Sequence, residues 1–151
     1  MKMSHKSQEK NMRKLAELLD RDLSYIWGER ESGPNGAKKQ FLNTGTAFLR
    51  ALGKDLGLRD AKASSNPGGI AVSGESTLMG MWQTNGLYVR LSQLCCGEDN
   101  VLLYRTIRHS GDYTGGRNLY LTHRDLAEMS YPDLLFLLAG LREEGAHERA
   151  A

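Results

Sequence analysis

Along the first third of the chain apolar residues recur at helical spacing. Met12, Leu15, Leu19, Leu23 and Ile26 follow one another at three- and four-residue intervals, which predicts a helix over Gln8 to Trp27 with one buried face and a stop at Gly28. A polar stretch from Glu29 to Gly36 reads as a loop, with Asn35 as the candidate cap of the next helix. That helix runs from Ala37 to Leu56 and buries Phe41, Gly45, Phe48, Leu49, Leu52 and Leu56, with Gly57 ending it. Gly45 stands on the buried stripe. Glycine costs about 1 kcal/mol against alanine in a helix, so its presence there implies a close approach by another segment.

Beyond Leu58 the period changes from that of a helix to that of a strand. Ser64 to Gly69 is a turn cluster, and Ile70 to Met79 follows with the small and β-branched residues of a strand. Thr84-Asn85-Gly86 offers the positive φ angles of a tight hairpin turn, after which Leu87, Val89 and Leu91 alternate with Tyr88, Arg90 and Ser92. Residues 96–100 form the next connection. Val101 to Ile107 is a further strand, apolar on both faces and therefore interior. Leu58 to Ser64 and Leu119 to Leu121 are candidates for one more.

Two cap patterns close the chain. Thr122 with Asp125 and Ser130 with Asp133 have the spacing of a cap and its N3 acid, so helices are expected near His123 to Met129 and Tyr131 to Glu144. The pattern predicts an α+β domain in the order α-α-β-β-β-α-α. N-terminal helices precede an antiparallel sheet of three to four strands, because the connections are too short for parallel crossovers, and C-terminal helices cover it. One domain is expected over residues 1–145, with 146–151 a flexible tail.

Composition supports a globular chain: 151 residues, 40% hydrophobic and 25% charged. The net charge of +2 hides an asymmetry. Residues 1–62 carry 13 lysines and arginines against 8 acids, residues 63–151 carry 7 against 10, and every lysine lies at or before Lys62. The two cysteines, Cys95 and Cys96, are adjacent and point to opposite faces of extended chain, so they are read as reduced thiols. With a polar N-terminal stretch and a longest apolar run of eight residues, Leu134 to Leu141, the expectation is a cytoplasmic protein that does not cross a membrane.

Signatures of catalysis are weak. His5, His109, His123 and His147 are scattered and the cysteines adjacent, so no metal site and no cofactor are expected. Asn66-Pro67-Gly68-Gly69 precedes a strand instead of opening a helix, which suits a turn better than a phosphate cradle. Three groups remain as candidates. The glycine-rich loop presents His109, Asp112, Tyr113, Arg117 and Asn118, beside Arg105 and Arg108. The sheet presents Tyr88, Arg90, Tyr104 and Arg105, an aromatic and cationic set able to stack bases and contact phosphates. Lys38 and Lys39 form a basic patch at the start of the second helix.

The runs Gly69-Ile70-Ala71-Val72-Ser73-Gly74-Glu75, Leu103-Tyr104-Arg105-Thr106 and Asp112-Tyr113-Thr114-Gly115-Gly116-Arg117-Asn118 resemble small uncharacterised proteins of bacterial genomes and mobile genetic elements. The resemblance implies a bacterial origin and assigns no activity. The expected function is that of an accessory protein acting by binding a protein partner or by self-association. One alternative is nucleic-acid binding through the basic helix and the Tyr/Arg sheet face. The other is an enzyme centred on the His109–Asn118 loop, which would require a pocket joining that loop to Glu75 or His123.

Overall fold

The computed structural model describes residues 4–20, 36–68, 73–96, 99–109, 112 and 116–150, with 94–96 and 143–150 described by backbone alone. Helices α1 (His5–Leu18) and α2 (Ala37–Asp55) are followed by strands β1 (Arg59–Asn66), β2 (Glu75–Met81), β3 (Gly86–Cys96), β4 (Asn100–Ile107) and β5 (Leu119–Thr122), then α3 (His123–Glu128) and α4 (Tyr131–Ala150). The α+β class and the helix–sheet–helix order match the sequence pattern. The sheet, however, has five strands instead of three or four, all antiparallel and in chain order β1-β2-β3-β4-β5. Both short candidates are strands, one beginning at Arg59 and the other at Leu119.

The sheet is buried on one side. Register puts Leu78, Val89, Tyr104 and Leu119 in one row, and Ser76, Leu91, Leu102 and Leu121 in the next. Leu78, Leu87, Val89, Leu91 and Leu102 are wholly inaccessible to solvent and join Phe41, Phe48, Leu49, Leu52, Leu134 and Leu138 in one core. Fully burying each such side chain contributes about 1.5–3 kcal/mol, so this face dominates the stability of the sheet. Among the described residues α2 lies along β1 and β2, α4 on β3 and β4, and α3 against β4 and β5, while α1 packs on the other helices.

Local chemistry explains most boundaries. Ser4 caps α1 by accepting from the Ser7 amide at 3.1 Å. The helix closes at Leu19; Leu23, Ile26 and Gly28 lie outside the described residues. Gly57, at φ 70°, takes the left-handed conformation that ends α2. Thr122 and Asp125 form the reciprocal capping box at the start of α3, and Ser130 accepts from the Asp133 amide at 3.1 Å. Three expectations are corrected. β2 begins at Glu75, and residues 69–72 lie outside the described part. α4 continues past Glu144 to Ala150, so 146–150 are helical in backbone.

The third correction concerns the β2–β3 turn, where neither Asn85 nor Gly86 adopts positive φ. Gly86 is needed for space: a Cβ there would collide with the Gly80 carbonyl oxygen and come within 3.0 Å of Ile107. The turn is tied from the helical side. Trp82 donates its indole N–H to the Leu56 carbonyl at 2.8 Å, and Asn85 donates its amide to that of Leu141 at 3.2 Å.

Gly45 marks the closest approach of helix to sheet. A Cβ on it would lie 2.7 Å from Ser76 Oγ and 3.1 Å from Ser76 Cβ. That hydroxyl is buried and makes no hydrogen bond among the described residues. Gly45→Ala therefore destabilises despite its gain in helix propensity, whereas Ser76→Ala, which removes a buried orphan hydroxyl, is neutral or stabilising. In urea titrations the pair should show a coupling of at least about 0.5 kcal/mol, with Ser76→Ala relieving much of the Gly45→Ala penalty. Additive effects would mean that the two do not compete for the same space.

Tyr131 fastens α4 to α2. Its ring is inaccessible to solvent, edge-on to Phe48, and its hydroxyl donates to Asp55 Oδ2 at 2.6 Å. Burial, then the hydrogen bond to Asp55 and the charge of that carboxylate, push the phenol well above its ordinary value. Because the folded state holds this proton more tightly, the stabilisation is complete below pH about 10 and is lost as pH rises toward the folded value. Tyr131→Phe should cost about 1.5–3 kcal/mol at pH 8. Its deficit should narrow by about 1 kcal/mol by pH 11, because only the wild type incurs the cost of keeping the phenol protonated. A deficit constant across that range in chemical unfolding would show an ordinary phenol.

Candidate functional site

The alternation that buries Leu87, Val89 and Leu91 turns Tyr88, Arg90 and Ser92 to the other side of the sheet. Following the register outward from β3 gives three rows on that side. The first is Lys62, Met79, Tyr88 and Arg105; the second is Ser64, Thr77, Arg90, Leu103 and Tyr120; the third is Asn66, Glu75 and Ser92. Lys62 and Ser64 are exposed, while Thr77, Met79, Tyr88, Arg90, Arg105 and Tyr120 are partly exposed. Leu103, between Arg90 and Tyr120, is buried. These rows hold three basic side chains and two phenols against one carboxylate. Glu75, that carboxylate, lies 3.9 Å from Arg90.

Tyr104 does not belong to this face. It pairs with Val89 and Leu119, so it points inward and is buried in the core, and the sequence grouping of Tyr104 with Tyr88 and Arg90 is corrected. Pairing puts Arg105 beside Tyr88 instead. Lys38 is also displaced from its expected role. It is buried at the start of α2, with Lys39 exposed next to it, and α2 covers the inward side. The basic helix and the Tyr/Arg face therefore look in opposite directions and form no single surface.

The loop after β4 divides into two parts. Arg108 and His109 form a tight turn with Asp112: the Arg108 amide donates to the Asp112 carbonyl at 3.0 Å, and the Asp112 amide to the His109 carbonyl at 2.9 Å. The Asp112 carboxylate sits 3.3 Å from His109 Nε2 and 3.9 Å from Arg108 Nε. The His109 side chain is 73% exposed, so the pair fastens a solvated turn. The second part reaches the sheet. Arg105 donates to Asn118 Oδ1 at 3.0 Å and to the Thr106 carbonyl at 3.3 Å. A Cβ on Gly116 would lie 2.5 Å from that same carbonyl, so glycine lets the chain return against β4. Arg117, between Gly116 and Asn118, is exposed. Tyr113 lies outside the described residues.

Glu75 and His123 are far from this loop. Glu75 pairs with Ser92 at one end of the sheet, whereas Ile107 pairs with Gly86, and Gly86 with Met81, at the other. The length of β2 separates them, about 20 Å at 3.4 Å per residue. His123 follows Thr122, which pairs with Asn100 at the opposite end of β4 from Ile107. The register thus sets Glu75 and His123 at the opposite end of the sheet from Arg108 and His109. Among the described residues no three His, Cys, Asp or Glu side chains gather as metal ligands would.

Sequence reasoning missed Lys62, Thr77, Met79 and Tyr120 as members of the face. The signal for Tyr120 was its place between Leu119 and Leu121, which alternate inward once that segment is a strand. Lys62 needed the β1–β2 register. No described helix is long and apolar enough to cross a membrane. Comparison of the chain with protein-family models, with curated proteins and with solved structures finds no match.

Proposed function

We propose that the protein is a non-enzymatic binding protein that engages an anionic macromolecule through the outward face of its sheet. The observation that carries this reading is the composition of that face. Lys62, Arg90 and Arg105 stand in adjoining rows among Tyr88, Tyr120, Thr77 and Ser64, with Glu75 at one end. A surface carrying several cations in adjacent rows attracts an extended polyanion more strongly than isolated charges do. A role of this kind suits the bacterial accessory protein that the sequence resemblance implies.

Self-association has less support. Among the described residues Phe136 is the one large apolar side chain left exposed, at 84%, and a single such residue makes no patch. The sheet edges are also guarded. β1 carries an irregularity between Arg59 and Lys62, with Asp60 at φ 54°, and β5 is four residues long.

Retention on immobilised heparin tests the anionic reading. The wild type should be held at about 50 mM salt and released as salt rises. Arg105→Gln should elute clearly earlier, whereas Lys39→Ala, which removes one charge from the helical side, should elute close to the wild type. Flow-through of the wild type, or equal shifts for the two variants, would exclude the outward face as the binding surface.

A further inference from the structure

Resting on the anionic-partner reading, we infer that the occupant of the outward face is single-stranded nucleic acid, with Tyr88 and Tyr120 serving as its base-stacking platform. Charge alone would suit any polyanion. What distinguishes single strands is that their bases are unpaired and offer flat faces, which exposed aromatic side chains on a sheet can stack upon, while neighbouring cations hold the phosphates. The outward face supplies both parts in alternation. Tyr88 is directly opposite Arg105, and Arg90, two residues along β3, is in the row that ends at Tyr120.

The spacing fits an extended strand. Tyr88 on β3 and Tyr120 on β5 are two strands apart, about 9.6 Å, and offset by one row, about 6.8 Å, which sets them roughly 12 Å apart on a diagonal. Arg90 lies two residues from Tyr88 on β3 and Arg105 directly opposite Tyr88 on β4, on opposite sides of that diagonal, so a strand laid along it has a guanidinium on either side. Leu103 stands between Arg90 and Tyr120 in the second row and is buried.

The cations are positioned, not merely present. Arg105 is held by Asn118 and by the Thr106 carbonyl, and Arg90 lies beside Glu75. Guanidinium groups fixed in this way lose less freedom when they meet a phosphate than unrestrained lysines do. A duplex fits the arrangement poorly. Its bases are stacked internally, so the two phenols would have nothing to stack upon and only the charges would act.

Fluorescence anisotropy of the full chain with labelled twelve-nucleotide oligothymidylate and oligouridylate, against a duplex of equal length, tests the inference. Single strands should bind more tightly than the duplex, with affinity falling steeply between about 50 and 200 mM salt. Tyr88→Leu and Tyr120→Leu should each weaken single-strand binding about tenfold. Tyr88→Phe, which keeps the ring, should bind like the wild type, and heparin retention of the leucine variants should be unchanged.

Other outcomes overturn it. Equal affinity for single strand and duplex, indifferent to Tyr88→Leu and Tyr120→Leu, would reduce the face to a charged surface. Heparin retention without oligonucleotide binding would leave the anionic reading standing and reject this one. Binding to vesicles of anionic lipid in place of oligonucleotides would do the same. If Tyr88→Leu fails to fold, as judged by circular dichroism, Tyr120→Leu at the end of the sheet decides the matter.

Discussion

The seating of α2 across β1 and β2 fixes the side on which everything else is built. Gly45 and Gly53 bring the helix down onto the strands: a Cβ at Gly45 would meet Ser76, and one at Gly53 would lie 3.1 Å from Leu78. With α2 this close, the inward residues of β2 are restricted to those that fit beneath it, namely Ser76, Leu78 and Gly80. The register then propagates. Ser76, Leu78 and Gly80 pair with Leu91, Val89 and Leu87, so the inward side of β3 follows from that of β2, and β4 and β5 follow in turn. A slip of one residue anywhere in this chain of pairings would send the leucines to solvent and Tyr88, Arg90 and Arg105 into the core.

The other helices complete the inward side through ties that depend on that register. Trp82 and Asn85, in the turn between β2 and β3, reach the carbonyls of Leu56, at the end of α2, and Leu141, in the middle of α4, and so join two helices to one hairpin. Gln8 of α1 donates to the Phe48 carbonyl, Arg13 to that of Leu126, and Tyr131 to Asp55. Each places a polar contact inside or at the rim of an apolar interface, where a lost partner costs about 1–3 kcal/mol. Since these contacts gather the helices on one side, the opposite side of the sheet carries, beside the buried Leu103 and Ile107, side chains that tolerate water. Arginine, lysine and tyrosine do so by keeping a polar end exposed above an apolar stem.

Much of the helical part was legible because its signals are local. The second helix was bounded to within a residue by its period and by Gly57, and both C-terminal caps were readable from a hydroxyl and an acid three positions apart. The sheet was legible only in part. Leu87, Val89 and Leu91 announce their side by alternation, but Arg59 to Asn66 contains no apolar alternation; its residues are mostly exposed on an edge, so nothing in its composition distinguishes it from a loop. Tyr104 was placed on the wrong side for a related reason. Val101 to Tyr104 are all buried, so β4 has no alternation to read, and only pairing with Val89 shows which way the tyrosine points. Lys38 was misjudged because charge was read without the helical period, which puts it three residues before Phe41 on the buried side of α2.

The candidate surface was least legible because it belongs to no single segment. Lys62, Tyr88, Arg90, Arg105 and Tyr120 come from four strands, and their proximity is a product of register, which is long-range information. Two local features did point toward it. Gly116 allows the chain to lie against β4, and Asn118 is placed to hold Arg105, so the end of the loop that looked like a separate site acts as a fastening of the sheet face. The described residues of the loop do two things: His109 and Asp112 stabilise a turn at the far end, while Gly116 and Asn118 hold one cation of the surface in place. The polar chemistry of the chain thus divides by geometry into a structural turn and an anchored cation, and the second works only because an inward leucine pattern has already decided where Arg105 faces.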